Sequence, residues 1–172
     1  MDQVERWPVL RKDDDGLLEA IQAILASQVQ GDPYSSDGTF AENLSSLPQG
    51  LRAMAATHWL DLSLTLDSIT WHFGNFGEPT LVAQTEEGLR ELGLHELALV
   101  FVEAKTLMVP FIDRMSPEHP PDELLEQSGL AERGDEVDTK AWDLRDLGNG
   151  KSAIYDAWVR YTRKHPEQVF GP

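Results

Sequence analysis

Between Leu51 and Phe73 the chain carries two incompatible periodicities, and the choice between them decides the fold class. Leu60, Leu62, Leu64 and Leu66 alternate with Asp61, Ser63 and Thr65, the period of a half-buried strand. Trp59, Leu62, Leu66, Ile69 and Phe73 recur at intervals of three and four, the period of one helical face. The helical pattern runs about three times as far as the alternation, and length arbitrates between the two. The spacing predicts one continuous helix over 51–73, with Trp59, Leu62, Leu66, Ile69 and Phe73 buried. On such a helix Asp61, Thr65, Ser68 and His72 fall on one polar stripe, with His58 one turn before Asp61.

The same reasoning extends the helical reading along the chain. The first dozen residues read as an arm packed by Trp7, Val9 and Leu10. Asp13, Asp14 and Asp15 then open a helix carried by Leu17, Leu18, Ile21, Ile24 and Leu25, with acids where the helix dipole favours them. Gly31-Asp32-Pro33 ends it, and 34–46, rich in Ser, Gly, Asp and Asn, reads as a loop. Pro48 suits the start of the long helix, and Gly74 and Gly77 its end. Glu78-Pro79-Thr80 restarts a helix that closes at Gly93. Another covers 95–115, with Pro110 kinking or ending it. A turn cluster over 117–121 precedes a short acidic helix over 122–127, a polar segment over 132–138 and a short segment anchored by Trp142 and Leu147. Ala153, Ile154, Ala157, Trp158 and Tyr161 make the last helix, which stops at His165-Pro166. The expected fold is an all-α, single-domain bundle of about six or seven helices spanning 1–172, with an arm, helix and loop over 1–46 and a helical core over 47–172.

Charge bounds the partners. Thirty Asp and Glu against 14 Lys and Arg leave a net charge of −16. Such a surface repels nucleic-acid phosphates and anionic membranes, so direct contact with either is disfavoured. It favours cations and basic proteins, whose encounter its field accelerates. Residues 118–146 carry ten acids against three bases, whereas the chain from Leu147 onward is net positive. The negative field should therefore concentrate on Asp122, Glu123, Glu126, Asp135, Glu136 and Asp138, continued by the helix start at Asp13–Asp15 or by Glu86 and Glu87. Clustered acids in such a chain also have a plainer use, which is solubility.

Catalytic chemistry finds little footing. There is no Cys, so thiolate chemistry and disulfides are excluded. No Gly-x-Ser-x-Gly elbow, Gly-x-Gly-x-x-Gly turn or phosphate loop occurs. His58 and His72 would lie about 20 Å apart on one helix, too far for one metal ion. No metal and no cofactor is expected. His58, Asp61, Asp67, His72 and Asn75 form the candidate polar seam or pocket. For His72 the expected role is to close the helix end and pack near the rim of the core. The N-terminus has no apolar signal core and no run reaches the roughly 18 apolar residues of a membrane span, so the cytoplasm is the default location.

Leu47-Pro48-Gln49-Gly50-Leu51-Arg52-Ala53 resembles the helix start of the bacterial DNA-mimic-protein-like family of small acidic helical proteins. That family follows this start with a long helix holding an acid, here Asp61 or Asp67. A Gly- and aromatic-rich break comes next, here Phe73 to Gly77, and then a helix closing as Leu89 to Gly93 does. Glu96 to Lys105 is similar to the family's next helix, and Tyr161, His165, Pro166 and Phe170 to its closing motif. Where the family carries Asn-Gly-Gly-Phe, this chain has Thr70-Trp71-His72-Phe73-Gly74-Asn75-Phe76-Gly77. The resemblance implies a non-enzymatic acidic protein that binds a basic partner, with mimicry of DNA before a DNA-binding protein as the sharper form and a homodimer as one state. An immunity or antitoxin-type inhibitor of a basic toxin is an alternative. A small enzyme or ligand-binding protein using His58, Asp61 and His72 is the alternative from another class.

Overall fold

The computed structural model describes residues 3–171, and among them there is no β-strand. The helices are α1 (Gln3–Arg6), α2 (Asp14–Gln28), α3 (Thr39–Ser45), α4 (Gln49–Leu66), α5 (Ile69–Phe76), α6 (Pro79–Glu91), α7 (His95–Met108), α8 (Pro121–Gln127), α9 (Ala131–Arg145), α10 (Ala153–Lys164) and α11 (Glu167–Phe170). Two 3-10 stretches, Pro8–Arg11 and Val109–Arg114, complete the set. The bundle is larger than the expected six or seven helices, because nine of these helices have seven residues or more. No helix of the described residues is long and apolar enough to cross a membrane.

α4 is the hub, packed against α3, α5, α6, α9, α10 and α11. Its buried side chains include Leu51, Met54, Ala55, Ala56, Thr57, Leu60, Ser63 and Leu64, so it is enclosed on nearly every side. A helix surrounded in this way has no single apolar face, which is why its sequence shows a strand-like alternation as well. Its small residues let α6 come close. A Cβ at Gly88 of α6 would stand 3.0 Å from the Ala53 carbonyl oxygen and 3.1 Å from its Cα.

The expected single helix over 51–73 is two. α4 stops at Leu66, Asp67 leaves helical geometry, and Ser68 caps α5 by accepting from the Trp71 N–H at 3.3 Å. A side-chain oxygen at this position satisfies a donor that the new helix would otherwise leave free. The break also changes the buried register. Ile69 and Phe73 are buried as expected, but Leu60 and Leu64 fill the core in place of Leu62 and Leu66, and Leu66 is 75% exposed.

The segment read as a loop over 34–46 is partly helical, and the polar segment over 132–138 joins the stretch at Trp142 in one helix. Within 34–46, α3 buries Phe40, Ala41 and Leu44. Within 131–145, α9 buries Gly134, Val137, Asp138 and Ala141 on one face and turns Glu132, Asp135, Glu136 and Asp143 outward. Asp13 caps α2 by accepting from the Gly16 N–H at 2.9 Å, as the aspartate triplet led one to expect. α7 gives way to the 3-10 stretch around Pro110. Buried apolar side chains from Leu17 to Val169 form one contiguous cluster, with Phe73, Phe101 and Trp158 among its largest members. Each such ring contributes about 1.5–3 kcal/mol by leaving water.

Candidate functional site

The acidic segment forms a ridge on two helices. Asp122, Glu123 and Glu126 lie exposed on α8, and Glu132, Asp135, Glu136 and Asp143 on α9, with Asp146 just past its end. Leu125 of α8 seats on Gly134 of α9, where a Cβ would come within 2.6 Å of Leu125 Cδ1. A methyl group at 134 would have to displace the end of the Leu125 side chain.

The three bases of the segment all turn away from the ridge. Arg133 and Lys140 pair with Glu103 of α7 at 3.5 and 3.2 Å, and Arg145 pairs with Asp61 of α4. Among the described residues, no ridge carboxylate lies within ion-pair distance of a base. The proposed extensions are weaker. Glu86 is neutralised by Lys105 and Arg90, and Asp14 by Arg163.

Asp138 does not belong to the exposed surface where its charge suggested it should be. It is buried, and its two oxygens accept from the backbone N–H and the hydroxyl of Thr70, at 3.0 and 2.9 Å. Burial pushes its carboxyl up from the ordinary range, the Thr70 donors oppose this, and the charge of Asp122 adds to the rise. Burial and then Asp122 raise Asp67 as well. Asp67 is exposed, and its backbone carbonyl accepts from the Trp142 indole N–H at 2.9 Å.

The polar stripe divides at the helix break. His58, Asp61 and Thr65 stay together on α4 and face α9 and α10. Asp61 accepts from Arg145 Nε and Nη2 at 2.9 and 3.2 Å and from the Ser152 hydroxyl, while Arg145 Nη2 also reaches Thr65 Oγ1 at 2.7 Å. His58 Nδ1 lies 3.1 Å from the Tyr155 hydroxyl. Arg145, Ser152 and Tyr155 carried no sequence signal, because each meets α4 from more than eighty residues away.

His72 lies on the other side of the break and is fully buried, not at a rim. Its ring sits among Phe73, Phe76 and Phe101, and Nδ1 is 3.0 Å from Ser63 Oγ. The Ser63 hydroxyl donates its proton to the Trp59 carbonyl at 2.9 Å, so it must accept from His72. The proton is therefore on Nδ1, and buried Nε2 has no partner. Desolvation holds the imidazole down at about 3. Asn75 is exposed and lines a groove of about 630 Å³ with Tyr34, Gly74 and Val109. Neither His58 nor His72 reaches that groove. Among the described residues, no group of three or more His, Asp or Glu side chains is placed to hold a metal ion.

A family model described as DMP19-like protein matches residues 45–165. The chain belongs to the DMP19-like family. This is the DNA-mimic family that its motifs resemble. No curated protein and no solved structure matches the chain. The structure explains two motif positions of this member. A Cβ at Gly50 would stand 2.5 Å from Tyr161 Cε1 and 3.0 Å from the Gln168 carbonyl, so the glycine lets α10 and α11 close over the start of α4. Tyr161 and Gln49 then both donate to Glu91, at 2.5 and 2.6 Å, tying the first and last motifs to α6.

Proposed function

We propose that this protein is a non-enzymatic acidic interaction protein of the cytoplasm that presents the α8–α9 ridge to a basic partner, in the manner of a DNA mimic. The observation that carries this reading is the diversion of Arg133, Lys140 and Arg145 toward Glu103 and Asp61, which leaves the outward carboxylates unpaired. Membership of the DMP19-like family supports it.

The geometry suits the task. The 15 residues of α9 span about 22 Å at the helical rise. Seven exposed carboxylates from Asp122 to Asp143 ride on it and on α8, with Asp146 just past its end and Glu118 on the turn before. α9 alone carries four of these charges, about one per 5–6 Å of its axis, and α8 adds three more to the same ridge. Carboxylates fixed on helices meet a basic groove without the ordering cost that a mobile loop would bring.

Competition tests the reading. The protein should capture basic proteins from a bacterial lysate at low salt and release them at high salt. It should displace DNA from a captured DNA-binding protein. Replacing Asp122, Glu123, Glu126, Asp135 and Glu136 together by Lys should abolish displacement with helical content unchanged. Equal competition by that variant would remove the mimic reading. Capture of a nuclease whose activity the protein stops would assign the ridge to toxin occlusion instead.

A further inference from the structure

The carboxylates of the ridge surround one aromatic ring. Trp142 of α9 is 41% exposed, while the other four tryptophans are partly or wholly buried. A ring of this size normally goes to a core or to an interface. Leu66, the residue before Asp67, is exposed as well. The two helices meet here, because the Trp142 indole N–H donates to the Asp67 carbonyl at 2.9 Å. That bond uses the one polar group of the indole and fixes the ring in place. What Trp142 offers outward is therefore its apolar body and its π face.

Negative charge stands on each side of this junction. Asp143 follows Trp142 directly, Asp146 lies one turn on, and Asp135 lies two turns back on the same side of α9. Asp67 is exposed beside the ring, and Asp122 of α8 is near enough for its charge to be the cause, after burial, of the raised Asp67 carboxyl. Among the described residues none of these carboxylates is ion-paired, and no cation stands over the Trp142 ring. The bases on either side of Trp142 in the chain, Lys140 and Arg145, are held by Glu103 and Asp61. An aromatic face attracts a cation through its quadrupole, and negative neighbours add to the attraction. The surface around Trp142 is thus complementary to a positive group that is flat and weakly hydrated, which describes guanidinium and not ammonium.

We infer that Trp142 anchors the basic partner of the ridge by taking an arginine side chain across its ring, with the guanidinium held by Asp67 and Asp143 and the aliphatic stem against Leu66. This role presupposes the ridge reading and adds the group that the partner brings to it. Tryptophan and arginine are over-represented among the residues that dominate binding at interfaces. The contact has an effect that carboxylates alone lack. Salt screens the charges along the ridge, but not the burial and stacking of a ring. Part of the partner's affinity should therefore be independent of salt.

The test titrates labelled tetra-arginine and tetra-lysine peptides into the full chain at several salt concentrations. NMR of the five tryptophan indole N–H groups locates the contact, and Trp142→Phe assigns the Trp142 signal. Tetra-arginine should shift that signal saturably and bind about two- to fivefold more tightly than tetra-lysine. Trp142→Leu should lower the tetra-arginine affinity by about that factor at every salt concentration, leaving the salt dependence as it was and removing the preference. Trp142→Phe keeps an aromatic face and should keep part of the preference. No saturable shift at Trp142, equal binding of the two peptides, or a preference that survives Trp142→Leu would overturn the proposal. So would a dimer in sedimentation that Trp142→Leu dissociates, because a second copy would then cover the ring. DNA competition by the variant with Asp122, Glu123, Glu126, Asp135 and Glu136 replaced by Lys decides the ridge reading separately, since that variant leaves Trp142, Asp67 and Asp143 in place.

Discussion

Arg145 clasps Asp61 with two donors, Nε–H and Nη2–H, and joins the C-terminal end of α9 to the middle of α4 across 84 residues of sequence. The Asp61 side chain is only 3% exposed and that of Arg145 17%. Removing one partner of a buried pair strands the other in low dielectric, at a cost of about 3–5 kcal/mol. Asp61→Ala should therefore destabilise the fold by roughly that much. Arg145→Met should do the same, while the double variant should recover a large part of the loss. Urea unfolding of the four proteins measures the coupling. Additive losses would show that the pair contributes no interaction of its own.

His72 makes stability depend on pH. Its folded pKa, about 3, is depressed below the ordinary 6.5. The stability from holding it neutral is full above pH 6.5 and is lost as pH falls toward 3, because only the unfolded chain then takes up the proton. The slope should approach about 1.4 kcal/mol per pH unit between pH 6 and 4. His72→Asn retains a donor near the Nδ1 position and should flatten that slope, while weakening the fold at every pH through the space it leaves. Urea titrations at pH 7, 6, 5 and 4 compare the two proteins. Parallel stability curves would contradict the assignment.

Asp138 carries the opposite sign. Its folded pKa is raised by burial, so its contribution is greatest below the unfolded value near 3.8 and declines as pH rises through the folded value. Asp138→Ala leaves the Thr70 N–H of α5 without its acceptor and should cost on the order of 1–3 kcal/mol. The loss should be larger at pH 4 than at pH 7. Chemical denaturation at the two pH values decides this, and a loss that grows with pH would be the wrong sign.

Gly88 sets the approach of α6 to α4. An added methyl group meets the Ala53 backbone, which cannot rotate away as a side chain can. Gly88→Ala should cost about 1–3 kcal/mol by overpacking, despite the better helix propensity of Ala. A calorimetric melt should fall by about 2–4 °C for each kcal/mol lost. An unchanged or raised Tm would mean that the two helices can part at no cost.

What the sequence determined by itself is local. Helical periodicity, the Asp13 cap, the Glu78-Pro79 restart and the break around Pro110 each depend on interactions within a turn or two, and each was legible. The excess of acids over 118–146 was also visible, because charge is counted and not folded. Tertiary structure decided the rest. Leu64 and Leu66 differ little as residues, but the Ser68 cap ended α4 and the surrounding helices enclosed Leu64, leaving Leu66 in water. α9 looked too polar to pack, yet it needed only Gly134, Val137 and Ala141 facing inward. Asp138 and Asp135 are identical side chains three residues apart, yet Asp138 falls on the inward face of α9, where Thr70 of α5 meets it, and Asp135 stays on the ridge. His58 and Asp61 meet Tyr155 and Arg145 only because α10 and α9 reach α4. Burial and hydrogen-bond direction are properties of which segments meet, and in this chain those meetings span sequence distances over which no local pattern persists.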